Sequence, residues 1–150
     1  LGVASVPLPD TLQGEDLSGL VRGQTEAADR AALYMNVAPF AGRGFNTEYR
    51  AVRTRRYTYV RSLEGPWLLF DDQQDPNQLD NLVNRPEFAT LRGDLDARLQ
   101  AQLQAIGDDF QPAQHYLDAW GYEVAAHGSV SYAPGARVQS PRRAADLKQP

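Results

Sequence analysis

The stretch Thr47–Asp80, TEYRAVRTRRYTYVRSLEGPWLLFDDQQDPNQLD, decides the fold. Its residues alternate as half-buried antiparallel strands do. Tyr49 and Ala51 point away from the face that carries Val52, and Tyr57 and Tyr59 oppose Thr58 and Val60. Glu48–Thr54, Arg56–Leu63 and Pro66–Asp71 therefore read as three strands. Tight hairpins join them at Thr54-Arg55 and Glu64-Gly65. Asp75-Pro76 stops the last strand. Upstream, Ala31–Val37 (AALYMNV) reads as a fourth strand, separated from the hairpin by the loop Pro39–Asn46 with glycines on both sides of Arg43.

A sheet with one apolar face needs a cover, and the next segment provides one. Asn84 with Glu87 three residues on has the form of a capping box, with Pro86 in the tolerated first turn. Phe88, Leu91, Leu95, Leu99, Leu103 and Ile106 keep one helical stripe, and Gly107 closes it. The expectation is an α+β fold: a four-stranded antiparallel sheet packed by one long amphipathic helix. Pro112–Trp120 reads as a short second helix with Tyr116 and Trp120 turned to the core. Leu1–Arg30 holds one short apolar face, Leu17, Leu20 and Val21, too small to bury itself. It reads as a connector, residues 31–122 as the folded part, and residues 123–150 as an irregular tail.

Composition limits the function. The chain has 150 residues, 42% hydrophobic and 23% charged, which is ordinary for one globular core. A formal net charge of -4 argues against a nucleic-acid surface, and no apolar run reaches bilayer length, so neither nucleic acid nor membrane is an expected partner. Lys148 is the only lysine; the other basic residues are Arg, several of them between Arg43 and Arg61. Arg suits planar oxyanions, sulfate included, yet arginines on a strand face more often pair with Asp and Glu across strands. There is no cysteine, which removes disulfides, thiolate metal sites and cysteine nucleophiles together. The chain opens on Leu1-Gly2 without a charged-then-apolar leader, so any targeting signal is expected outside these residues.

Other constellations have ordinary readings. Asp71-x-Gln73-x-Asp75-x-Asn77 departs from a calcium loop at Pro76 and Leu82, where Gly and a bidentate Glu are required, and reads as a turn with local Asx bonds. His115 and His127 are too far apart for a short metal-ligand pair. Tyr57, Tyr59, Trp67 and Phe70 read as aromatic sheet packing rather than a base-stacking platform. No catalytic residue and no metal ligand is expected in this chain.

Five elements in order resemble the C-terminal subdomain of the sulfatase family, within the alkaline phosphatase superfamily. Gly14, Leu17, Leu20, Val21 and Gly23 are similar to the family's joining segment. Tyr49-Arg50-Ala51-Val52-Arg53-Thr54 with Arg56-Tyr57-Thr58-Tyr59-Val60 resembles its RAVRT and KYI strands. Leu69-Phe70-Asp71, Asp75-Pro76 and Asn81-Leu82 resemble its LYDL strand, DP turn and NL pair. Thr58 stands where the family often has Lys. The resemblance covers Pro9 to Tyr122 and implies that a catalytic α/β domain precedes Leu1, making residues 1–30 the connector from it. It further implies a hydrolase acting on sulfate esters such as those of a glycan, with Ca2+ and formylglycine in the missing domain. It also implies that domain and an anionic sulfated substrate as partners, and a periplasmic or secreted setting. Ser5-Val6-Pro7 does not supply the family's Cys/Ser-x-Pro-x-Arg, because Pro9 takes the Arg position and the extended backbone cannot open a helix. Two readings stand beside this one: a related phosphonate or phosphate monoester hydrolase, and a non-enzymatic interaction module.

Within these residues the expected contribution to a substrate site is the loop 39–46, with Arg43 and Asn46 as candidate substrate-binding residues. Glycines beside Arg43 allow close backbone approach while the guanidinium reaches forward. The same loop also reads as a surface segment whose Arg43 pairs with a nearby acid.

Overall fold

A computed structural model describes residues 16–24, 29–38, 47–124 and 129–130. The chain divides into two units, residues 1–30 and 31–150. The first holds one helical turn, α1 (Ser18–Val21). Asp16 starts it by accepting from the Ser18 N–H at 2.9 Å and the Ser18 hydroxyl at 3.0 Å. Leu17 and Val21 remain exposed.

The second unit is the α+β fold. Strands β1 (Ala32–Asn36), β2 (Tyr49–Arg53), β3 (Tyr57–Ser62) and β4 (Gly65–Asp71) form an antiparallel meander in chain order. Its register puts Leu33 opposite Val52, Val52 opposite Tyr59, and Tyr59 opposite Leu69. That row is the floor of the core. Helix α2 (Ala89–Ile106) lies over it, burying Leu95, Leu99 and Leu103, while Phe88 and Leu91 pack at the margin. Leu82 and Val83 complete the cluster. Gly107, at φ 70°, ends α2: its N–H donates to the Gln104 carbonyl and the Asp108 N–H to the Leu103 carbonyl. Helix α3 (Ala113–Trp120) follows, buries Leu117, and ends on Gly121 at φ 69°. Beyond it, Val124 and Val130 form an isolated antiparallel bridge.

Two sequence expectations about α2 are corrected. Asn84 and Glu87 form no capping box: a 3-10 turn, Pro86–Phe88, precedes the helix, and no side chain caps either start. The cause is Pro86, whose ring disfavours helical backbone at the preceding residue; Arg85 is extended at φ -81°, ψ 125°. Ile106 lies past the core and is 59% exposed.

The far edge of β4 is closed by a side chain. Asn81 accepts the Leu69 N–H at 3.0 Å and donates to the Trp67 carbonyl at 3.1 Å, as a neighbouring strand would. The Leu82 N–H then donates to the Leu69 carbonyl at 2.8 Å. This explains why an Asn-Leu pair follows the turn. The turn itself is built on Asx bonds, with Asp71 accepting from the Gln73 and Gln74 N–H groups and Asp75 from that of Asp80.

Leu99→Ala should lower unfolding free energy by about 2 to 5 kcal/mol, and Ile106→Ala by under about 1 kcal/mol, in urea melts. Equal losses at the two positions would contradict this placement of α2.

Candidate functional site

The stems of the loop that carries Arg43 and Asn46 meet at one end of the sheet; those two residues lie outside the described part of the chain. Asn36, the last residue of β1, donates from Nδ2 to the Thr47 carbonyl at 2.8 Å and so ties the stems together. Beneath them is Arg50, only 1% exposed. A guanidinium has five N–H donors, and here each one is used. Nε and one Nη2 hydrogen reach Asp108 at 2.5 and 3.3 Å. The Nη1 pair goes to the carbonyls of Asn36 at 3.3 Å and Tyr49 at 3.2 Å. The remaining Nη2 hydrogen goes to the Tyr116 hydroxyl at 3.2 Å, and the Phe110 ring covers the cation at 4.5 Å.

For Arg50 this departs from the expectation of a solvated strand face with cross-strand pairs, which exposed Arg53 with Asp72 and Arg56 with Asp71 do meet. Arg50 pairs with a residue 58 positions away, beyond the C-cap of α2, and has no donor left for an anion. Asp108 is held in turn by the Phe110 N–H at 2.8 Å and by the Tyr116 hydroxyl at 3.2 Å. Burial pushes its carboxyl up, but the hydrogen bonds and charge of Arg50 outweigh this and hold it below the usual carboxylate range. Immediately before β2, Glu48 accepts the Ala113 N–H at 2.9 Å, which docks the start of α3 beside the loop stem.

Arg53, Arg56, Arg61 and Arg85 have carboxylate partners of their own. Arg56 is bidentate on Asp71, and Arg61 shares Asp96 with the Tyr59 hydroxyl, which donates at 2.8 Å. Burial, with the Asp96 carboxylate, pushes the Tyr59 phenol well above its ordinary range, so it stays a donor. Arg85 pairs with Asp80. Among the described residues no three His, Cys, Asp or Glu side chains converge as metal ligands, and the chain has no cysteine. The calcium ion and formylglycine that the resemblance implies do not fit these residues. His115 stands edge-on to Tyr116 at 5.5 Å; His127 lies outside the described residues.

Sequence reasoning missed Asp108, Phe110 and Leu117. The available signal was Gly107, because the reversal after a left-handed cap carries the next residue back toward the sheet. Beside the loop stem, Thr47, Glu48, Ser62, Leu63, Glu64 and Trp67 line a cavity of about 380 Å³.

Arg50→Met should destabilise the fold by about 3 to 5 kcal/mol, because Asp108 would be left charged and unpaired. A carboxyl with a depressed folded pKa contributes stability above the unfolded value, near 4, and loses it as pH falls through the folded value. Asp108→Asn should therefore flatten the acid limb of the stability–pH curve below about pH 4. An unchanged acid limb would contradict the pair.

Comparison with known proteins follows the same architecture. The family described as N-sulphoglucosamine sulphohydrolase, C-terminal, matches residues 1–105. An ulvan-active sulfatase of Formosa agariphila is 48% identical over 122 residues, covering 81% of this chain and 24% of that protein. The chain thus spans about a quarter of that relative's length. Among solved structures, the protein yidJ of Bacteroides fragilis is 28% identical, with a TM-score of 0.54 over 71% of this chain and 22% of its own. A protein solved in complex with its substrate D-glucosamine-2-N,6-O-disulfate shares the fold at 21% identity and a TM-score of 0.57, over 71% of this chain and 22% of its own. With the five motifs, the meander and the covering helix in place, this chain belongs to the family of sulfatase C-terminal domains.

Proposed function

We propose that this chain is the C-terminal part of an enzyme that hydrolyses sulfate esters on a glycan. It buttresses the catalytic domain and forms one wall of the substrate cleft through the loop 39–46. The observation that carries this reading is the 48% identity to an ulvan-active sulfatase, sustained over most of the chain. A neighbour that takes a disulfated glucosamine supports the same substrate class. The nucleophile and its calcium ion belong, in this reading, to residues outside this chain. A polymeric substrate also favours a periplasmic or secreted enzyme, since intact polysaccharide does not reach the cytoplasm. Among the described residues no helix is long and apolar enough to cross a membrane.

The arginines described in the sheet are engaged with carboxylates, whereas Arg43 lies between glycines on the loop those strands support. Arg43 and Asn46 are thus the proposed contacts to the anionic substrate. The test uses the full-length enzyme. Arg43→Ala should lower kcat/KM on a sulfated polysaccharide about tenfold, roughly 1.4 kcal/mol, and much less on a small aryl sulfate that does not reach the loop. Equal kinetics for variant and parent on both substrates would remove the loop from the substrate site.

A further inference from the structure

The cavity beside the loop stem has a donor and acceptor set of its own. It sits where the β3–β4 turn meets the start of β2, and about 380 Å³ is within the range of small-ligand pockets. A register shift between Val60 and Arg61 breaks the alternation of β4. Trp67 accordingly reaches Tyr49, with ring centroids 6.1 Å apart, and remains only half-buried. Among the described residues its indole N–H has no acceptor, so a donor stands next to an accessible aromatic surface.

The remaining lining consists of acceptors and hydroxyls. Glu64 is exposed on the turn, and its carboxylate accepts from no neighbour among the described residues. Glu48 uses Oε1 for the Ala113 N–H and keeps Oε2 for another donor. Thr47 adds a hydroxyl, that of Ser62 is engaged within the turn by the Gly65 carbonyl and the Glu64 N–H, and among the described residues no Lys or Arg lines the cavity. The two carboxylates of this described lining repel sulfate and attract hydroxyl donors. A half-buried indole suits the C–H face of a ring that carries those hydroxyls.

We infer that this cavity is a subsite for an uncharged, unsulfated sugar residue, stacked on Trp67 and hydrogen-bonded through its hydroxyls to Glu64 and Glu48. The inference rests on the glycan reading above and deepens it. Thr47 and Glu48 directly follow the loop that holds Arg43 in the chain.

The test has a binding arm and a kinetic arm, both on the full-length protein. Cellobiose, lactose and xylobiose serve as uncharged probes in saturation-transfer NMR. At least one should show transfer in the parent, lose it in Trp67→Ala, and lose most of it in Glu64→Lys, whose exposed turn position leaves the fold intact. In kinetics, adding one uncharged residue to a sulfated monosaccharide should raise kcat/KM about tenfold in the parent. Both variants should abolish that gain while leaving the monosaccharide rate within about twofold. No transfer to any probe, or equal losses on both substrates, would overturn the subsite. A parent that binds the probes yet hydrolyses no sulfate ester would instead contradict the enzymatic reading and leave the subsite standing.

Discussion

The arrangement of this domain depends on a single buried cation. Arg50 is placed by β2, but its five donors end on β1, on β2 itself, on the segment after α2, and on α3. Each partner is therefore fixed relative to one planar fork rather than to its neighbours in sequence. An apolar cluster of similar volume would hold these pieces together as firmly, since desolvation consumes much of what a buried ion pair gains. It would not determine which carbonyl or which hydroxyl lies where. The pair contributes placement more than it contributes free energy, and the elements it places are the stems of a loop and the helix beside them.

The sheet supports that arrangement because the middle of β2 is buried on both of its faces. Arg50, Ala51 and Val52 are consecutive in β2 and all buried, so neither face of the strand meets water. Val60 and Phe70 continue the second buried face, with the ring of Tyr49 lying 6.0 Å from that of Tyr34. An antiparallel meander with a single wet face would flex about its strands. A central strand buried on both faces transmits a constraint at β2 to its neighbours.

The meander, its turns and the leucines of α2 were legible because they follow local periodicity: a period of two along Tyr57–Val60, near four along Leu95, Leu99 and Leu103. The resemblance carried by Arg50, Asp75-Pro76 and Asn81 located the family before any contact was known. What local pattern did not reveal was burial against distant partners. The alternation around Arg50 suggested a solvated charge, since Asp108 stands 58 residues away and nothing nearby marks it. The helix start was misplaced for the opposite reason: a local capping pattern at Asn84 was overruled by an equally local steric effect of Pro86. Arg43 and Asn46 show a third limit, since a short glycine-bounded loop has no period to read.

Asn81 carries a consequence for how such a sheet meets other chains. Exposed strand edges are templates on which a foreign strand can add, and natural sheets protect them by covering, bulging or charging them. Here one amide side chain occupies the N–H of Leu69 and the carbonyl of Trp67, and the Leu82 backbone takes the next position. The β4 side is in effect capped by its own following residues. A foreign strand adding at this margin would first have to displace that amide, so the β4 side is sealed against self-association by a single short side chain.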